Sequence, residues 1–201
     1  MTALDLSNGY YDLPPGKLAN VVTCLEMMVN PLVGPQALPT GFSLRRFGPQ
    51  DFASFRALFR KVGEDLMWFS RVIMPDDKLA TILGHPAVES YALYKDETPI
   101  GILELDFHEM PNCELAFFGL VPDAVGLGAG RSLMNMAIAM AWAKPINRFW
   151  VHTCHFDHPN ALRFYQRSGF KAYKLMVEVH DDARLQGKMP KSASPHVALI
   201  E

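Results

Sequence analysis

The chain has 201 residues, enough for one domain with a proper core and some tens of residues besides. Hydrophobic content of 49% with 20% charged residues argues against a disordered chain, and a net charge of −2 without a dense basic run argues against a nucleic-acid surface. Cys24, Cys113 and Cys154 form no C-x-x-C pattern, which points to a reducing compartment; with no signal-peptide pattern and no apolar run of about 18 residues, a cytoplasmic protein without a membrane partner is expected.

Residues 1–41 read as an N-terminal extension, with turn signals at Ser7-Asn8-Gly9 and Leu13-Pro14-Pro15-Gly16 and prolines at 31, 35 and 39. Val21, Val22, Leu25, Met28 and Val29 recur three and four apart, which predicts a short helix over Leu18–Val29, packed on the main domain or on a second subunit. Phe42–Phe47 alternates as a first strand. Gly48-Pro49-Gln50-Asp51 then supplies a turn and a cap for a helix that carries Phe52, Phe55, Leu58, Phe59 and Val62 at helical spacing. The segment Gly63–Arg71 breaks that helix and starts another. Strands follow at Ser90–Tyr94, Ile100–Phe107 and Cys113–Leu120, and their short connections make them antiparallel neighbours.

A glycine-rich turn leads into a helix over Gly128–Ala143, closed before Pro145. Arg148–Thr153 is the next strand, parallel to Cys113–Leu120 because a helical crossover separates them. A helix over Leu162–Arg167 stops at Gly169, and Lys171–Val179 and His196–Ile200 complete the set as strands. The fold class is therefore α/β in the mixed α+β sense, with a mostly antiparallel sheet.

The turn itself, Leu120-Val121-Pro122-Asp123 followed by Gly126, Leu127, Gly128, Ala129, Gly130 and Arg131, is suited to phosphate. Glycine admits positive φ and close approach, and the free N–H groups and dipole of the following helix favour an anion. A dinucleotide would require G-x-G-x-x-G and an acidic residue about 20 positions on; the spacing here is G-x-G-x-G, and Trp150 stands near the acidic position.

This stretch resembles the acetyl-coenzyme A loop of the GNAT (GCN5-related) N-acetyltransferases, a proline turn followed by x-x-Gly-x-(Gly/Ala), with Val125 where the family has Arg or Gln. A second motif agrees: Ala161-Leu162-Arg163-Phe164-Tyr165 followed by Gly169-Phe170 resembles the family's last helix, with His158 in place of the usual Asn. The resemblance covers about residues 42–201 and implies the GNAT acyl-CoA N-acyltransferase fold, with helices on both faces of the sheet and a parallel strand pair splayed at the acetyl-CoA site. It implies a transferase that uses acetyl-CoA as co-substrate and a small-molecule or peptide amine as acceptor. Phe118, Gly119, Leu120, Val121 and Phe164 join the loop as cofactor-binding candidates, with a β-bulge expected near Gly119 or Leu120. Trp68, Phe69 and Arg71 become acceptor-binding candidates, and Tyr165 the donor to the departing thiolate.

An alkyl amine has a pKa of about 10 and needs a base. The resemblance makes Glu114 the first choice, with Glu104, Asp106 and His152 as alternatives. Glu104 also stands as an acceptor contact in an acidic strand pair that favours a cationic amine. His152, His155 and His158 lie near Cys154 and Asp157, but Pro159 interrupts any single helical face, so no metal is expected. Rival readings are a non-catalytic acyl-CoA-binding module and a dinucleotide-binding oxidoreductase. The acceptor's identity stays open, as does the choice between monomer and homodimer.

Overall fold

The computed structural model describes residues 7–32 and 37–201. Strand β1 (Lys17–Met27) is followed by β2 (Phe42–Arg46), helices α1 (Phe52–Gly63) and α2 (Asp76–Gly84), and strands β3 (Val88–Lys95), β4 (Thr98–Asp106) and β5 (Asn112–Leu120). Helix α3 (Ala129–Trp142), β6 (Arg148–Cys154), α4 (Ala161–Arg167) and β7 (Lys171–Asp181) complete the order. Among the described residues the sheet has seven strands in the order β2-β3-β4-β5-β6-β1-β7, with β5–β6 as its parallel pair.

Two apolar clusters flank the sheet, so helices cover both faces. On one side α3 buries Leu133, Met134, Ala137 and Ile138 against Leu103, Leu105, Phe149 and Val151. On the other, α1 buries Phe55, Leu58 and Phe59 with Leu79 and Leu83 of α2 against Ala92 and Ile102. Phe47 meets Phe55 edge-on at 5.3 Å, an aromatic geometry that adds about 1 kcal/mol to simple burial. No helix among the described residues is long and apolar enough to cross a membrane.

Two sequence expectations fail. Leu18–Val29 is not a helix: residues Lys17–Met27 form a strand paired with β6 on one side and β7 on the other. Val22 and Cys24 are buried on one face and Leu25 and Met27 in the core of the other, so apolar residues on both faces imitated a helical period. The run Val21-Val22-Thr23 is β-branched and stiff, which favours the strand. Pro35, expected to punctuate this extension, lies outside the described residues. His196–Ile200 is not a strand either. Its backbone is held by a side chain: Arg184 donates from Nη1 to Val197 O at 2.9 Å and from Nη2 to Ala198 O at 3.2 Å. Arg184 and its partner Asp182 are buried and paired at 2.8 Å, and the guanidinium keeps that carboxyl below the usual aspartate range.

Candidate active site

The parallel ladder is short. It couples Asn112–Glu114 with Arg148–Trp150 and ends there. On its other side β5 is bulged: Glu104 faces Phe117 while Leu105 faces Leu115, which leaves Ala116 as the extra residue. The bulge thus falls before the expected Gly119. That glycine answers to packing instead, since a Cβ there would stand 2.5 Å from Val62 Cγ1 and 3.1 Å from Trp68 Cη2. Beyond Glu114 the two strands part over a cleft of about 400 Å³. Ala116, Phe118, Val151 and His152 line it from the strands, Trp68, Phe69 and Arg71 from the segment after α1, and Tyr165 from α4.

The glycine loop leads from β5 into α3. Buried Ala124 and Ala129 anchor it, and residues 125–128 between them are exposed. Gly126 and Gly128 adopt φ of +90° and +79° with open space where a Cβ would be, so backbone conformation rather than packing selects glycine there. Gly130 already lies within α3, whose first N–H groups have no acceptor inside the helix. Arg131 ties α3 to α4, donating from Nη1 to Ser168 Oγ at 2.9 Å, with its guanidinium 5.0 Å from the Phe164 ring. Phe164 stacks on Phe118 at 5.6 Å, so Phe118, Arg131 and Phe164 meet in one wall. Leu120 and Val121 pack at the rim of the core, and Val125 and Leu127 are exposed.

Glu114 and His152 meet across the seam, Oε1 to Nδ1, at 3.4 Å. The imidazole N–H donates to the Glu114 carboxylate, which raises the imidazole pKa above its ordinary 6.5 against the opposing effect of burial. Tyr165 is buried at the cleft wall, and desolvation pushes its hydroxyl well above the usual tyrosine range. Cys154 also lines the cleft, but burial pushes its pKa to about 11, so it stays a thiol at neutral pH.

Trp68 is held in place from three directions. It packs on Phe59 and Phe117, both at 5.4 Å, and donates from Nε1 to Asp157 at 3.0 Å. Phe69 lies 5.1 Å from His180. Glu104, expected to touch the acceptor, is instead wholly buried; it accepts from Arg71 Nη2 at 2.7 Å and from Ser90 Oγ at 2.6 Å, and so serves as the counter-ion of Arg71. Arg71 itself lies over Phe117 at 5.3 Å and borders the cleft.

The sequence did not single out Asp157, Glu178 or His180 for the acceptor side, yet all three line the cleft. Glu178 and His180 alternate on β7, a pattern legible once that strand has a partner. Asp157 accepts from Thr153 Oγ1 at 2.7 Å and from the Cys154 N–H at 3.0 Å, joining the end of β6 to Trp68. Asp106, an alternative base, shares the cleft but is engaged by His108 at 2.6 Å. Among the described residues no group of three His, Cys, Asp or Glu side chains is placed to hold a metal.

The model of the acetyltransferase (GNAT) family matches residues 55–170, more than half of the chain. Among solved structures, a putative acetyltransferase of the GNAT family from Novosphingobium aromaticivorans is 19% identical, with a TM-score of 0.56 over 86% of this chain and 70% of that one. A GCN5-related N-acetyltransferase from Sphaerobacter thermophilus gives a TM-score of 0.59 at 12% identity over 81% of this chain, which spans about half (52%) of that protein. An aminoglycoside acetyltransferase from an uncultured soil metagenomic sample, in complex with trehalose, is 17% identical, with a TM-score of 0.57 over 72% of this chain and 97% of its own. No curated protein sequence matches.

Proposed function

Because the chain belongs to the GNAT acetyltransferase family, we propose that it moves the acetyl group of acetyl-CoA to a primary amine of a cationic acceptor by direct attack, with no acyl-enzyme. The observation that carries this reading is the opening of the parallel pair immediately beyond Glu114, with the Glu114–His152 pair at the parting point and the glycine loop at the far end of β5.

In this reading the free N–H groups of the loop and of the first turn of α3 hold the pyrophosphate, and acetyl-CoA supplies the acyl group. Val125 adds no side-chain donor, so the backbone carries that contact alone. The Glu114–His152 pair receives the proton of the attacking amine, directly or through water. Tyr165 acts as a hydrogen-bond donor: an alkyl thiol has a pKa of about 8.5, below that of this buried phenol, so the phenol steadies the leaving sulfur while keeping its own proton. Cys154, held as a thiol, is unsuited to carry the acyl group.

Asp106, Glu114, Asp157 and Glu178 give the acceptor side a negative lining, and Glu104 offsets the charge of Arg71. That lining supports a cationic amine, the class to which the aminoglycoside acetyltransferase's substrates belong. A panel of aminoglycosides, polyamines, amino acids and peptides, read by thiol release from acetyl-CoA, tests the proposal. Glu114→Gln is expected to lower turnover by about 10²–10⁴ and Tyr165→Phe by about tenfold or more. Unchanged turnover in both variants would overturn the mechanism. Binding of acetyl-CoA without turnover on any amine would leave a binding module in its place.

A further inference from the structure

Strand β7 is the last in the sheet: β1 pairs with one of its edges, and no strand among the described residues pairs with the other. It is 11 residues long, and on one face Leu175, Val177 and Val179 are 69%, 44% and 50% exposed. A long, apolar edge with unpaired N–H and C=O groups is what soluble proteins ordinarily blunt or cover. Here the charges are sorted along the strand. Lys171 and Lys174 lie at its start, Glu178 and Asp181 at its end, and Met176 at the midpoint.

That order is most complementary in one arrangement, the antiparallel register that sets both lysines against a carboxylate. An antiparallel pairing of two copies about Met176 sets Lys174 against Glu178 of the partner subunit and Leu175 against Val177 of the partner subunit, each contact occurring twice by symmetry. A parallel pairing would set lysine on lysine and glutamate on glutamate. We propose that β7 is the homodimer edge, joining two copies into one continuous sheet through this register.

The edge is continuous with the candidate active site. Lys174, Met176 and Glu178 face the same side of the sheet as Cys24, Val22 and Asn20, and Glu178 and His180 line the cleft. Lys174 of the partner subunit therefore stands beside a carboxylate of the cleft wall, and dimerisation tempers the negative charge that an acceptor meets there.

Analytical ultracentrifugation of the full chain over a wide concentration range tests this. The wild type is expected to dimerise. Lys174→Glu and Glu178→Lys each oppose like charges twice per dimer and are each expected to weaken it about tenfold or more. Mixing the two single variants restores opposite charges at both contacts, so a heterodimer of wild-type affinity is expected. Circular dichroism checks folding, because Glu178 also accepts from Asn20 Nδ2 at 3.0 Å. Should Glu178→Lys not fold, Val177→Lys replaces it, with a monomer expected. A wild-type monomer at every concentration overturns the proposal. So does a dimer that the substitutions leave unchanged, or a mixture that fails to reassociate.

Discussion

The Glu114–His152 pair makes a pH prediction with a definite sign. Glu114 holds the imidazole charged to a higher pH than the ordinary 6.5. Because the folded value is the raised one, the stabilisation from this pair is complete below about 6.5 and fades as pH rises through the folded value. Turnover runs the other way if neutral His152 receives the proton, so the activity limb should rise with a midpoint above 6.5. In Glu114→Gln the limb, and the His152 titration followed by NMR, should both move to lower pH. A limb that stays in place would belong to another group. The family resemblance points to Glu114, but its pairing with His152 is not legible in the sequence, because strand register fixes that pairing. Glu104 shows the opposite error: its charge is visible in the sequence and its complete burial is not.

At the scale of elements, the segment after α1 is set by an ion pair beneath it. Glu104→Gln leaves Arg71 as a largely buried cation without its counter-ion. A loss of about 3–5 kcal/mol in urea unfolding is expected, the usual consequence of removing one partner of such a pair. Replacing both partners, Glu104→Gln with Arg71→Met, should recover part of it. α1, α3, α4, β2 through β6 and β7 as far as Val179 were legible because turn residues punctuate them. β1 was misread because it is apolar on both faces between two partners, where the strand period disappears. The bulge at Ala116 left no sequence mark of its own, whereas Gly119, where a bulge is expected, is small for the sake of Val62 and Trp68.

At the scale of the whole molecule, the C-terminal segment is fastened by Arg184, which also donates to Ala193 O at 3.2 Å, and by Ser194 Oγ, which donates to Asp65 O at 2.9 Å. Arg184→Ala strands Asp182 and three carbonyl groups; a cost of about 3–5 kcal/mol is expected in chemical denaturation, with earlier proteolysis after β7. This staple escaped the sequence reading, which assigned the tail to a strand. An alternating pattern cannot distinguish a ladder from carbonyls satisfied by one guanidinium.

The shortness of the parallel ladder also has a mechanical side. Strands β2 to β5 form one antiparallel leaf and β6, β1 and β7 another; within the sheet the rungs between Asn112–Glu114 and Arg148–Trp150 are the spine between them, while α3 packs across both. Each leaf is held by long ladders of its own, such as the β1–β7 pairing from Lys17 to Glu26. Strain that widens the cleft therefore concentrates on the spine and leaves the leaves intact. The sheet is compliant along one line, and that line ends at Glu114.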